Sequence, residues 1–352
     1  MPDHPPAFQQ HIQEELDRLV AGGLPGAFVY VEDVDGAATF RSAGVADLAT
    51  GTRMTPQSHY HIGSTTKTFT AVIVLQLIAE GRLALGDRVQ DCLPDLPIPN
   101  GDRLTVEHLL RMRSGLFDFE DHPSLLGNLD AHLRPVSLAR VIELTLGGPT
   151  SFAPGEHFAY CNSNFCLLEV IVERVTGRSL ADELRERVFV PVGLAHTIYP
   201  HEDDLSLPEP FIRGYDRTGD TWRECSRVFF GRGDGAMIST ATDTARFLRA
   251  LLVERTLVAP PLLAEMMSIV PDDPPARFAY GLGLIAHPTA CGAVWGHSGG
   301  GFGYNHAPFV RIERGRVAII MRDASFGFRQ RTNEALSQQL SFTQEFRSSL
   351  YC

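Results

Sequence analysis

Apolar residues return every three or four positions at the start of the chain. Phe8, Ile12, Leu16 and Leu19/Val20 form one stripe that stops at Gly22-Gly23. That period predicts an amphipathic helix over 7–23. The pattern then shortens. Residues 26–34 and 38–45 read as two strands about Asp35-Gly36, a hairpin turn signal. From position 64 an apolar run begins that is too long for a strand and ends at Gly81, a good residue for closing a helix. It predicts a buried helix over 64–80. Helical spacing continues over 105–113, 136–146, 163–176, 179–188, 240–252 and 260–269, with Pro- and Gly-rich loops between. After Phe278 strand patterns return over 280–286, 293–297, 305–313 and 316–323, followed by a helix over 332–346.

Strands at both ends and helices between them predict an α+β fold. One antiparallel sheet forms from both termini and is covered by the terminal helices. The division expected is a discontinuous sheet lobe, 1–63 with 276–352, and a mostly helical lobe, 64–275. The helix from Ser64 starts where one lobe gives way to the other, a natural cleft position.

Composition narrows the partners. The 352 residues carry a net charge of −11 with no block of Lys or Arg, which disfavours nucleic acid and anionic membranes. The expected partner is a small molecule or peptide. No apolar run approaches 18 residues. The first twenty residues are polar and acidic without an apolar core, so the expectation is a cytoplasmic protein without a signal peptide. Six cysteines, Cys92, Cys161, Cys166, Cys225, Cys291 and Cys352, show no metal or redox spacing and are expected reduced in that compartment. An exported chain would permit a Cys291–Cys352 bridge. No metal or cofactor signature appears: His201-Glu202-Asp203-Asp204 reads as a solvated loop and His59-x-His61 as a strand pair.

Of the 31 Lys+Arg residues, Lys67 is the only lysine. Arginine stays protonated in proteins, whereas a buried lysine can be neutral near pH 7 if its pKa falls by roughly 3 units. Lys67 lies three residues after Ser64, so both share one helix face. Ser64 falls at the helix N-terminus, where free N–H groups favour negative charge. A serine there has a nearby base and a backbone donor for an oxyanion. Ser-x-x-Lys alone is a weak motif, and a Ser cap beside a chance lysine would look the same.

Two further clusters bear chemistry. Tyr160-Cys161-Asn162 precedes the helix from Ser163 and offers a hydroxyl and an amide for proton relay and substrate binding. Gly296-His297-Ser298-Gly299-Gly300-Gly301 follows a strand, and glycines there let a substrate backbone approach. Its first five residues also fit the G-x-S-x-G nucleophile elbow, which would make Ser298 the nucleophile. That elbow requires a following helix, then an acid, then a histidine. A strand pattern follows instead, and no Asp or Glu lies between Ser298 and the last histidine, His306.

Taken together, Ser64-x-x-Lys67, Tyr160-x-Asn162 and His297-x-Gly299 resemble, in order, the three motifs of serine β-lactamases and penicillin-binding proteins. The similarity is to the branch of class C β-lactamases, DD-carboxypeptidases and D-aminopeptidases, and covers roughly residues 20–330. Leu83-Ala84-Leu85-Gly86-Asp87 and Tyr280-Gly281-Leu282-Gly283-Leu284 support it. The resemblance implies an acylated Ser64, base duty shared by Lys67 and Tyr160, and a substrate amide held by Asn162. It also implies an oxyanion hole from the N–H groups of Ser64 and Gly300, beside Ser298 and Gly299. His297 stands where β-lactamases use Lys, which argues against dedicated β-lactamase activity. Arg232 and Asp234 are expected to line the cleft; for Asp234 the first reading is an ion pair of the loop, and receipt of a substrate ammonium is the alternative. The implied reaction is cleavage of an amide or ester, of a D-amino acid or small peptide, without a cofactor. A peptide-releasing thioesterase or cyclase, an esterase, and a silent binding protein share these motifs.

Overall fold

The computed structural model describes residues 4–218, 220–272, 279–326, 338–339 and 341–352. Among these, thirteen strands occur: β1 Gly26–Glu32, β2 Ala38–Gly44, β3 Tyr60–His61, β4 Tyr215–Thr218, β5 Thr221–Glu224, β6 Ile238–Ser239, β7 Ala279–Tyr280, β8 Ile285–Thr289, β9 Gly292–Gly296, β10 Gly299–Gly301, β11 Tyr304–Arg311, β12 Arg316–Arg322 and β13 Ala324–Ser325.

The main sheet runs β2-β1-β12-β11-β9-β8-β7, with β10 added on β11. Every one of its strands comes from the two ends of the chain, as the alternation predicts. β1 pairs antiparallel with both β2 and β12, so Val29 lies between Arg41 and Ile320. β1 is buried almost throughout, because both of its faces are covered. The Pro6–Ala21 helix packs one face with Ile12, Leu16 and Leu19. The Ala241–Leu248 helix lies against β11 and β12.

The Thr66–Ala79 helix is buried on nearly every side, which is why its sequence is apolar all round rather than striped. It packs on the Ser163–Thr176 and Leu180–Leu184 helices. Its entrance is fixed by β3, which pairs with β6 and leads into a 3-10 turn at Gly63–Thr65.

Several elements depart from the sequence reading. The expected 280–286 strand is two strands, β7 and β8, folded back through a turn in which Gly283 has φ +73°. The 105–113 helix stops at Leu110, and Met112 takes a left-handed φ of 59°. The middle of the chain also contributes strands: β4 pairs with both β5 and β13, which the sequence pattern did not show. The 332–346 helix lies largely outside the described residues; within them, Gln344–Ser349 is helical. The six cysteines are not all free. The C-terminus folds back onto the β8–β9 turn, the Cα atoms of Cys291 and Cys352 lie 5.7 Å apart, and the two are disulfide-bonded. Cys92, Cys161, Cys166 and Cys225 remain thiols.

Candidate active site

The Gly63–Thr65 turn presents Ser64 at the mouth of a cleft of about 230 Å³, lined by Ser64, Tyr160, Asn162, Asp234 and Gly300 among others. A larger cavity, between the sheet and the C-terminal segment, contains none of the motif residues.

Lys67 is fully buried, one helical turn beyond Ser64. Its Nζ donates to Ser64 Oγ at 3.0 Å, to Asn162 Oδ1 at 2.7 Å and to the Asp234 carbonyl at 2.8 Å. The Asp234 carboxylate lies 3.8 Å away. Three acceptors match the three N–H bonds of an ammonium. Burial alone would lower the Lys67 pKa, but the negative charge that Tyr160 can carry and that of Asp234 outweigh it and raise it. The sequence leaves the charge of Lys67 open; the acidic groups around it favour the ammonium. Asp234 is itself raised, chiefly by burial, with Lys67 opposing.

Tyr160 stacks its ring under Lys67, with Nζ 5.1 Å from the ring centroid. Burial raises its pKa; the Lys67 charge and hydrogen bonds with Ser64 and Lys67 oppose that rise. Tyr160 thus meets both the nucleophile and the cation.

Asn162 is held at both ends of its amide. Its Oδ1 faces Lys67, and its Nδ2 donates to Asp118 Oδ2 at 3.0 Å. Both amide ends thus already have protein partners, so the side chain orients Lys67 as well as bordering the cleft. Asp118 also accepts from the Asn162 backbone N–H at 3.3 Å.

His297 is buried, and burial pushes its pKa down to about 3, with Lys67 adding to the effect. The neutral ring has one N–H. Its Nδ1 lies 2.7 Å from the Ser298 carbonyl, which can only accept, so Nδ1 carries the proton. Nε2 then accepts from the Tyr280 hydroxyl at 3.0 Å. The ring fixes β9 and Tyr280 and makes no hydrogen bond with Ser64. Its own carbonyl accepts from Thr65 Oγ1 at 2.7 Å, which ties the Ser64 turn to β9. His297, expected to be catalytic, makes its ring hydrogen bonds to Ser298 and Tyr280 in this structure.

Gly299 explains the glycine run. A methyl group there would lie 1.9 Å from the Ile62 carbonyl oxygen and 3.1 Å from the Ser64 nitrogen. β10 therefore lies flush against the turn, and a methyl group at Gly63 would come within 2.9 Å of the Gly300 nitrogen. The backbone of Gly300 borders the cleft beside Ser64. Ser298 lies between two strands, β9 and β10, not on a strand-to-helix elbow.

Asp234 lines the cleft as expected, whereas Arg232 is not among its lining residues. Asp234 is buried and turned to Lys67, to the Arg232 N–H at 2.8 Å and to Cys166 Sγ at 3.1 Å, so its carboxylate already has partners before a substrate ammonium arrives. The Arg232 side chain points to Glu169, Tyr199 and the Pro200 carbonyl.

Sequence reasoning missed Asp118, Glu120, His132, Phe229, Phe230 and Phe302. The last five border the cleft. They come from four separate segments, and nothing in their spacing marks them.

The comparisons agree with this geometry. The family model described as Beta-lactamase matches residues 8–339. The chain belongs to the Beta-lactamase family. Penicillin-binding protein 4 of Amycolatopsis lactamdurans is 29% identical over 320 residues, 86% of this chain and 76% of that one. Penicillin-binding protein 4* of Bacillus subtilis (strain 168) is 28% identical over 294 residues, covering 80% of this chain and 64% of that one. Among solved structures, the D-stereospecific amidohydrolase from Streptomyces sp. superposes with a TM-score of 0.80 at 29% identity, over 95% of this chain and 96% of that one. The D-amino acid amidase from Ochrobactrum anthropi SV3 reaches a TM-score of 0.84 over 98% of both chains; at 24% identity it shows the fold alone.

Proposed function

We propose that this protein is a serine amidase that acts through an acyl-Ser64 intermediate on amides of D-amino acids with a free amine and an apolar side chain. The observation that carries the catalytic reading is the three-way hydrogen bonding of Lys67. An ammonium held by Ser64, Asn162 and Asp234 donates to the nucleophile rather than accepting from it, so proton removal falls to Tyr160. In this reading Tyr160 acts as the phenolate, its charge balanced by the Lys67 ammonium, and takes the Ser64 proton as Oγ attacks the carbonyl carbon. The N–H groups of Ser64 and Gly300 receive the oxyanion. The proton passes from Tyr160 to the leaving amine, and water then attacks the acyl-enzyme with Tyr160 again as base.

The substrate class rests on the cleft walls and on the neighbours. Phe229, Phe230, Phe302 and His132 form an apolar wall, and Glu120 adds a carboxylate. That pairing suits a hydrophobic side chain beside an ammonium. Two structural neighbours act, by name, on D-amino acid or D-stereospecific amide substrates.

The test is ammonia release from matched D- and L-phenylalanine amides and their N-acetyl forms, with phenol release from the matching phenyl esters. Hydrolysis of the free D-amide, with Glu120→Gln raising KM for it by about tenfold and leaving the N-acetyl form unchanged, supports the reading. Ester or thioester cleavage without amide cleavage would move the assignment to an esterase or thioesterase of the same family.

A further inference from the structure

Behind the Lys67 cluster lies a second buried acid that the reaction scheme does not use. Glu169 sits two turns into the Ser163–Thr176 helix and is fully buried. Its Oε2 accepts the Gly233 N–H at 2.7 Å, its Oε1 accepts the Tyr199 hydroxyl at 2.7 Å, and the Arg232 guanidinium lies 3.6 Å from Oε1. Two of the three partners, Gly233 and Arg232, belong to one tight turn, Gly231 to Gly235, and the third, Tyr199, lies with its ring under the Arg232 guanidinium. Gly231 there has φ +93°, and a methyl group at Gly233 would lie 2.7 Å from the Phe165 carbonyl and 3.0 Å from Glu169 Cβ. Thr70, from the Lys67 helix, donates to the Gly233 carbonyl at 2.7 Å. The residue after Gly233 is Asp234, which gives Lys67 both a carbonyl and a carboxylate.

We propose that Glu169 is a positioning residue for the reaction: it anchors the Gly231 to Gly235 turn that presents Asp234 to Lys67, and its ionisation couples that contact to pH. The proposal rests on the reading of Ser64 as nucleophile and Lys67 as its fixed cation.

The physical basis is a conflict of donors. Ionised, Glu169 accepts from Gly233 and Tyr199 and faces Arg232. Protonated, one oxygen must donate, while the Gly233 N–H and the Tyr199 hydroxyl still need acceptors in a dry site. The turn then loses an anchor. The charged and titratable groups around Glu169 are Arg232 and Tyr199 across from it, and Glu173 and Cys166 on its own helix. Burial pushes its pKa up; Arg232, the Tyr199 hydroxyl and the Gly233 N–H oppose the rise, and the balance lies at about 7. The anchor is thus made as pH rises through neutrality and lost as it falls.

The experiment is the second-order rate of fluorophosphonate labelling of Ser64 from pH 5.5 to 9, followed by intact mass, for the wild type, Glu169→Gln and Tyr199→Phe. The wild-type rate should fall on the acid side of neutrality. Glu169→Gln should abolish that acid limb and lower the plateau by about tenfold, the equivalent of one lost charge-assisted hydrogen bond. Tyr199→Phe removes a donor that stabilises the carboxylate, so its limb should move to higher pH. A merely structural residue would lower the rate at all pH values and leave the limb in place. An unchanged limb in Glu169→Gln, or no wild-type limb near neutrality, overturns the proposal. Should Glu169→Gln fail to fold, an unshifted limb in Tyr199→Phe overturns it. If the wild type is never labelled at Ser64, the reading of the nucleophile fails and takes this proposal with it, a result distinct from the others.

Discussion

Asp234→Asn separates two accounts of how Lys67 works. The carboxylate lies 3.8 Å from Nζ with both groups buried. At an effective dielectric of about 20, a unit charge pair at that distance is worth about 4 kcal/mol. Asparagine keeps the shape, the carbonyl that Lys67 contacts and an oxygen for the Arg232 N–H. What it removes is the charge. Part of the 4 kcal/mol is recovered by the amide dipole, so the net effect expected is about 1.5–4 kcal/mol, or roughly one to three pH units. With the carboxylate gone, burial favours the neutral amine. If the ammonium is the working form, activity is lost as pH rises through the Lys67 pKa. The alkaline limb of Ser64 labelling should then move down by one unit or more, so the ratio of wild-type to variant rate should grow as pH rises on the alkaline side. The assay is the pH dependence of fluorophosphonate labelling, with circular dichroism to confirm the fold. If instead neutral Lys67 is the base, Asp234→Asn should label faster near pH 7 than the wild type. That outcome would refute the assignment of proton removal to Tyr160.

Other predictions follow from neighbouring contacts. Asp118→Ala removes the acceptor for two Asn162 N–H groups in a buried setting; it should cost about 1–3 kcal/mol in urea unfolding and slow labelling, because Asn162 no longer holds Lys67 in place. His306 is buried with its pKa pushed down to about 3 by desolvation, against an ordinary 6.5. Its unfolded form binds a proton that the folded form refuses, so it removes stability as pH falls below 6.5 and down toward 3. The stability difference between His306→Phe and wild type should therefore change by about 1.4 kcal/mol per pH unit in the variant's favour as pH falls, and a difference that is flat with pH would contradict the buried neutral ring.

The termini-and-middle division was legible because period two and period 3.6 differ over long runs, as in 26–45 against 64–80. The Ser64–Lys67 contact was legible because the two lie three residues apart where a turn opens the helix, and Tyr160 and Asn162 are two residues apart. Residues that reach the site from elsewhere left weaker signs. Asp118 and Glu120 lie in an ordinary acidic loop, and only the fold turns Asp118 to Asn162. Glu169 did leave a sign: a carboxylate within Phe165-Cys166-Leu167-Leu168-Glu169-Val170-Ile171 is a charge inside an apolar helix, which demands buried partners. The charge state of Lys67 stayed open because the sequence shows the lysine and its serine but not the carboxylate, 167 residues away, that folds against it. The break at Gly281 to Leu284 was hidden for a similar reason: apolar residues that face the core from a turn have the same composition as a strand.

The central claim is that Ser64 forms the covalent intermediate. Its most direct test is intact mass and peptide mapping after a fluorophosphonate, with Ser64→Ala as control. The account predicts one adduct per chain, on the peptide containing Ser64, and none in the variant. An adduct on Ser298, or an unmodified wild type under conditions where the fold is intact, would contradict it.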